Sequence, residues 1–169
     1  SSPPAEGPVK KEGDLRSPAG IFELGGVYGT VPVPNKKRSM PYRRITPRDM
    51  WVDDPSSPLY NQHFVLKHDP VTPWEFKQQM KLNDYAHSLK LFIRHNATGD
   101  QGRPVAGGGS SIFFHIWRRD GQAPTAGCTA MSEENLRAMI AWLDPSKHPL
   151  YILLPSREYL RLRKAWGLP

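Results

Sequence analysis

The 169-residue chain is long enough for one domain with a sizeable core, and its overall composition is that of a soluble globular protein. Its 18 prolines and 14 glycines argue against a helical bundle, and no apolar run approaches the ~20 residues that span a bilayer. Twenty-three Lys and Arg against 16 Asp and Glu give a net charge of +7, which favours an anionic partner such as nucleic acid, an acidic membrane surface or an acidic cell-wall polymer.

Residues 1–9 are rich in Pro, Ser and Gly and read as a disordered linker, with no charged-then-apolar signal pattern. Lys10 to Leu24 follows with turns at Gly13-Asp14 and Pro18 around short strands. Pro32 to Asp54 reads as an irregular loop with a strand near Tyr42 to Ile45, and Asp53 to Pro58 is turn chemistry. Pro73 to Met80 has the signature of a short helix, with Thr72 as N-cap and Pro73 at its first position. Leu89 to His95 alternates as a half-buried strand ended by Asn96 and Gly99, and Ser111 to Trp117 is apolar enough for a strand buried on both faces.

Ser132 caps a helix over Glu133 to Leu143, whose Leu136, Met139, Ile140 and Leu143 form a core-facing stripe. Leu150 to Leu154 reads as a buried strand, and Ser156 as the cap of a final helix carrying Tyr159, Leu162 and Trp166 on one side. The sum is a mainly β domain with two or three peripheral helices.

A single cysteine excludes an internal disulfide framework and any multi-cysteine zinc site. Cys128 sits in the run Thr125-Ala126-Gly127-Cys128-Thr129, where Gly127 permits a tight turn and two threonine hydroxyls flank the thiol. A helix starting at Ser132 would lower the thiol pKa through its dipole, which favours a nucleophile; the other reading is a small buried hydrophobe. His115, between Phe114 and Ile116, is either a satisfied core histidine or a general base, and the short polar loop from Arg118 to Pro124 returns the chain toward it. His63, His68 and Asp69 lack metal-ligand spacing, so no metal and no cofactor are expected. Gly107-Gly108-Gly109 is not followed by the Lys-Ser/Thr of a phosphate loop. Lys36-Lys37-Arg38 and Arg43-Arg44 come with no recognition helix or RNA-binding motif, so nucleic acid is not the expected partner.

Phe114-His115 followed by Thr125-Ala126-Gly127-Cys128-Thr129 resembles the YkuD-type L,D-transpeptidases of bacteria, whose pattern is a histidine and then Ser/Thr-x-Gly-Cys. The resemblance extends to Lys11-Glu12-Gly13-Asp14 with Ser17-Pro18-Ala19-Gly20. It continues through Trp51-Val52-Asp53-Asp54-Pro55, His95-Asn96, Trp142-Leu143-Asp144-Pro145 and Ala165 to Pro169. It implies a β-sandwich-like catalytic domain over residues 10–169, acting in the periplasm or cell envelope, with the signal segment not part of this chain. It further implies that Cys128 attacks the meso-diaminopimelate–D-alanine bond of a peptidoglycan stem peptide. His115 serves as base, and the turn of Thr125, Gly127 and Thr129 supports the oxyanion. Carbapenem-type β-lactams are the covalent inhibitors it implies.

Two positions depart from the family pattern. Ala126 stands where many members carry His, and Ala130 where many carry an arginine for the substrate carboxylate. Arg94, Arg118 and Arg119 are the candidate replacements, with His95 and Asn96 as further cleft candidates. Ile116 replaces the commoner glycine after the histidine, and a backbone carbonyl is the default group to orient the ring. Water in place of an acceptor amine would make the same chemistry an L,D-carboxypeptidase or endopeptidase. A reading of a different class is a non-catalytic, basic cell-wall-binding protein.

Overall fold

The computed structural model describes residues 9–33, 39–98 and 102–169. The expected N-terminal linker up to residue 8, the Lys36-Lys37-Arg38 run and Gly99 lie outside these. In chain order the elements are β1 (Gly20–Gly29), β2 (Tyr42–Arg44), β3 (Asp49–Trp51), β4 (His63–Val65), α1 (Pro73–Gln78), β5 (Leu89–Ile93), β6 (Phe113–Ile116), β7 (Thr129–Met131), α2 (Glu133–Trp142), β8 (Leu150–Leu153) and α3 (Ser156–Leu162). Among the described residues the protein is mainly β with three α-helices, as its pattern predicts.

The main sheet runs β2-β1-β5-β6-β7, with β8 also pairing β1. Strand β1 pairs antiparallel with β5 and β8 and parallel with β2; β5 pairs antiparallel with β6, and β6 parallel with β7. Alternation along β5 and β6 sends side chains to two cores. Leu89, Leu91, Ile93, Phe114 and Ile116 pack with Leu136, Ile140 and Leu143 of the α2 segment. On the other face, Phe92 and Phe113 join Ile45, Trp51 and Met80, and this is the face that Cys128 packs against. The antiparallel pair β3–β4 carries Trp51 into that second core.

Local signals account for the helices. Thr72 and Glu75 form a reciprocal capping box at α1, with Pro73 in its first turn. Ser132 Oγ accepts the Asn135 N–H at α2. Several expectations differ from the structure, beginning with β3, which lies inside the stretch expected to be irregular loop. All five residues of β5 are buried rather than half of them, because both faces of the sheet are covered. Strand β8 is not buried: Leu150 and Ile152 are exposed, since the strand lies beside β1 outside the main strand order. Pro155, not Ser156, occupies the cap position of α3, and it can offer no side-chain hydrogen bond.

Candidate active site

The connection from β6 to β7 is a crossover rather than a hairpin, because the two strands run parallel. Residues 119–121 turn through positive φ, and the chain re-enters the sheet beside the strand it left. His115 pairs with Ala130 and Phe114 with Thr129, so Cys128 enters the sheet level with Phe113. Side chains directly across a parallel pair share a face. Cys128 and His115 therefore lie on the same face of neighbouring strands.

The turn before β7 is held by its own residues. Thr125 Oγ1 donates to the Cys128 carbonyl at 2.7 Å and accepts the Gly127 N–H at 3.2 Å. Gly127 has φ +132°, and a Cβ there would lie 2.7 Å from the Arg16 carbonyl oxygen. That carbonyl belongs to the N-terminal segment, where Asp14 accepts from the Lys11 and Arg16 amides and pairs with Lys10. The Lys11-to-Gly20 stretch thus packs against the thiol-bearing turn. Thr129, by contrast, does not flank the thiol; its hydroxyl lies 3.0 Å from Tyr151 Oη on the opposite face.

Cys128 is half-buried, and its S–H donates to the Ser111 carbonyl at 3.4 Å. Burial raises its pKa, opposed by the Phe113 N–H and by the positive charge of Lys90. The expected depression by the α2 dipole is overridden by this burial.

His115 is 2% exposed, and its Nδ1 lies 2.7 Å from the Ile116 carbonyl oxygen. A carbonyl can only accept, so Nδ1 carries the proton and Nε2 keeps its lone pair. Burial lowers the His115 pKa, against the opposing pull of that hydrogen bond. Burial thus pushes thiol and imidazole alike toward their uncharged forms.

Sequence reasoning did not single out several residues around this pair. His87 stacks on His115 with ring centroids 4.6 Å apart, and burial first, with repulsion from His115 whenever both rings would be protonated, lowers its pKa to about 3. Lys90, 4% exposed, pairs in register with His115 and donates to the Met80 carbonyl at 2.7 Å. Asn61 Oδ1 accepts from Trp51 Nε1 at 2.9 Å and from the Ser111 N–H at 3.1 Å, and its Nδ2 reaches the carbonyls of His95 and Asn96. A charged residue amid the apolar run of β5 was the one legible signal among these; Asn61 and His87 carry no motif.

This turn-histidine arrangement coincides with a match to a family model. The L,D-transpeptidase catalytic domain, YkuD, matches residues 4–152. The chain belongs to the YkuD family. No curated protein and no solved structure matches it. YkuD proteins are cysteine-dependent transpeptidases that act on peptidoglycan outside the cytoplasm and are sensitive to β-lactams. Cys128 is the one thiol this YkuD chain has for such chemistry. Among the described residues, no helix is long and apolar enough to cross a membrane.

The other candidate residues of the YkuD domain fall away from the pair or are engaged elsewhere. Arg94 is exposed, near Glu23 at 3.4 Å and bonded to the Thr98 carbonyl. Arg118 is held by Asp84, which itself caps the turn that carries His87. Arg119 is exposed. Asn96 adopts φ +48° and clamps the glycine loop through Val105 and Gly109, while His95 Nε2 lies 2.9 Å from the Gly108 carbonyl oxygen. His95 and Asn96 thus form the turn that organises residues 105–109. His63 lies 2.9 Å from the buried Asp49, which burial pushes up but Arg43, Thr46 and His63 hold at about 2.

Proposed function

We propose that the protein is a peptidoglycan L,D-transpeptidase in which Cys128 is the nucleophile and His115 the base. The observation that carries the reading is the shared face of Cys128 and His115 on paired strands, with the Nδ1 proton of His115 committed to Ile116. A neutral imidazole held in that tautomer has its Nε2 lone pair free for a proton.

In the first half-reaction the thiol sulfur attacks the carbonyl of meso-diaminopimelate that is bonded to terminal D-alanine. The S–H proton passes to His115 Nε2 as the S–C bond forms. Collapse of the tetrahedral species breaks the C–N bond, and His115 returns the proton to the departing D-alanine amine. In the second, the amine of another stem attacks the thioester, loses a proton to His115, and expels the thiol. Because the Gly127 amide already donates to Thr125, we assign the oxyanion to the amide of Cys128. Thr125 then acts by fixing the turn. On this reading residues 10–169 form one catalytic domain working in the periplasm or cell envelope.

Incubation with meso-diaminopimelate-containing tetrapeptide muropeptides, followed by mass analysis, tests the assignment. Crosslinked dimers with release of one D-alanine per link are expected. Monomers trimmed by D-alanine without dimers would overturn the transferase assignment, and unaltered muropeptides would overturn the catalytic one.

A further inference from the structure

The second core holds a cation without a matching anion. Register across four strands sets Tyr28 of β1, Lys90 of β5, His115 of β6 and Ala130 of β7 in one row. Lys90 Nζ leans over the Phe113 ring, 5.5 Å from its centroid, toward the level at which Cys128 enters the sheet. Its hydrogen bond goes to a neutral carbonyl, that of Met80, and no carboxylate pairs with it among the described residues. A buried ammonium with only a carbonyl and an aromatic face for company is poorly compensated.

The groups facing Lys90 narrow its role. Tyr28 of β1 and His115 of β6 flank it in the same row, His87 stacks on His115, and Cys128 packs on the same core beside Phe113, whose ring Lys90 covers. Arg118 and Lys10 also bear on the thiol, but each is already paired with a carboxylate, Asp84 and Asp14 respectively. Neutral histidines supply no negative charge, and the Tyr28 phenol is held protonated by burial. Only the thiol develops an anion under working conditions.

We infer that Lys90 is a positioning residue whose buried ammonium serves as counter-cation to the sulfur of Cys128 as its proton leaves for His115. Burial lowers the Lys90 pKa to about 8, partly offset by attraction to Cys128, so the ammonium persists at neutral pH and is lost just above it. The inference rests on Cys128 being the nucleophile.

The test is the rate of Cys128 alkylation by iodoacetamide in wild type, Lys90→Met and Lys90→Arg, alongside acylation by a carbapenem. At about pH 7, Lys90→Met should alkylate roughly ten-fold more slowly and Lys90→Arg close to wild type, as expected when one opposite charge is removed or kept. Alkylation of a folded Lys90→Met at the wild-type rate would overturn the inference and leave the nucleophile reading intact. Failure of the wild type to acylate would instead overturn the nucleophile reading. Should Lys90→Met not fold, the pH profiles decide. Wild type should bend near the Lys90 titration and Lys90→Arg should not, whereas the same bend in both would overturn the proposal.

Discussion

The thiol of Cys128 and the carbonyl of Ser111 are joined by a hydrogen bond of 3.4 Å, and that carbonyl is aimed by an unusual backbone. Ser111 has φ +54°, a conformation non-glycine residues seldom adopt, and its N–H is fixed to Asn61 Oδ1. Asn61 itself has φ +53° and is 3% exposed. One buried amide thus ties β3, the His95-Asn96 turn and the approach to β6 to the resting place of the thiol. Replacing it by alanine strands the Trp51 indole N–H and the Ser111 amide. Asn61→Ala should cost about 2–4 kcal/mol by denaturant unfolding, in line with the loss of several buried hydrogen bonds. It should also slow Cys128 acylation at temperatures where the variant remains folded; an unchanged rate would show that Ser111 does not position the thiol.

Gly127→Ala combines two costs, the positive φ and the approach of the Arg16 carbonyl to 2.7 Å from the new Cβ. Backbone strain alone contributes roughly 1–3 kcal/mol. The expected outcome is a lower unfolding midpoint together with loss of Cys128 acylation. Wild-type stability in this variant would show that the Lys11-to-Gly20 segment does not brace the turn.

His115→Gln keeps the ring position polar and removes the base. Acylation should fall about 10²–10⁴-fold. In the wild type, the acid limb of kcat/KM should lie below the ordinary imidazole range near ~6.5, because burial favours neutral His115. The active form is the deprotonated one, so the rate declines as pH falls through that lowered pKa. An acid limb at or above the ordinary value would contradict the burial argument.

Acid stability reports on the neighbouring ring. His87 titrates at about 3 in the folded state, as burial and His115 disfavour its charge. An unfolded chain therefore binds more protons between ~6.5 and that value, so stability is full above ~6.5 and declines as pH falls. His115 and His95 shift in the same direction and add to the slope. Urea midpoints measured near about pH 7 and about pH 4.5 should differ less in His87→Gln than in wild type. Equal differences would place the proton uptake elsewhere.

The helices and the central strands were legible because their signals are local: Thr72-Pro73 and Ser132 announce caps, and Phe113 to Ile116 is apolar apart from His115. The Thr-x-Gly-Cys turn and its histidine were legible as a candidate pair, through the family pattern more than through the local residues, which left a buried structural cysteine equally open. Strands β3 and β4 are three residues each, too short for a period-two pattern to show. The parallel pairing of β6 and β7 depends on tertiary contacts that no loop composition encodes. That pairing turns Thr129 away from the thiol and sets Cys128 beside Phe113. The thiol pKa was misjudged for a related reason, since proximity in sequence to a helix start does not measure burial. Arg118 looked free as a substrate cation until Asp84, distant in sequence, proved to hold it.

The central claim is that Cys128 is an acylatable nucleophile, and intact-protein mass spectrometry after mixing with a carbapenem tests it most directly. The account predicts a single adduct of one inhibitor molecule, mapped to Cys128 and absent from Cys128→Ala. No adduct on the folded wild type, or an adduct that survives in Cys128→Ala, would contradict it.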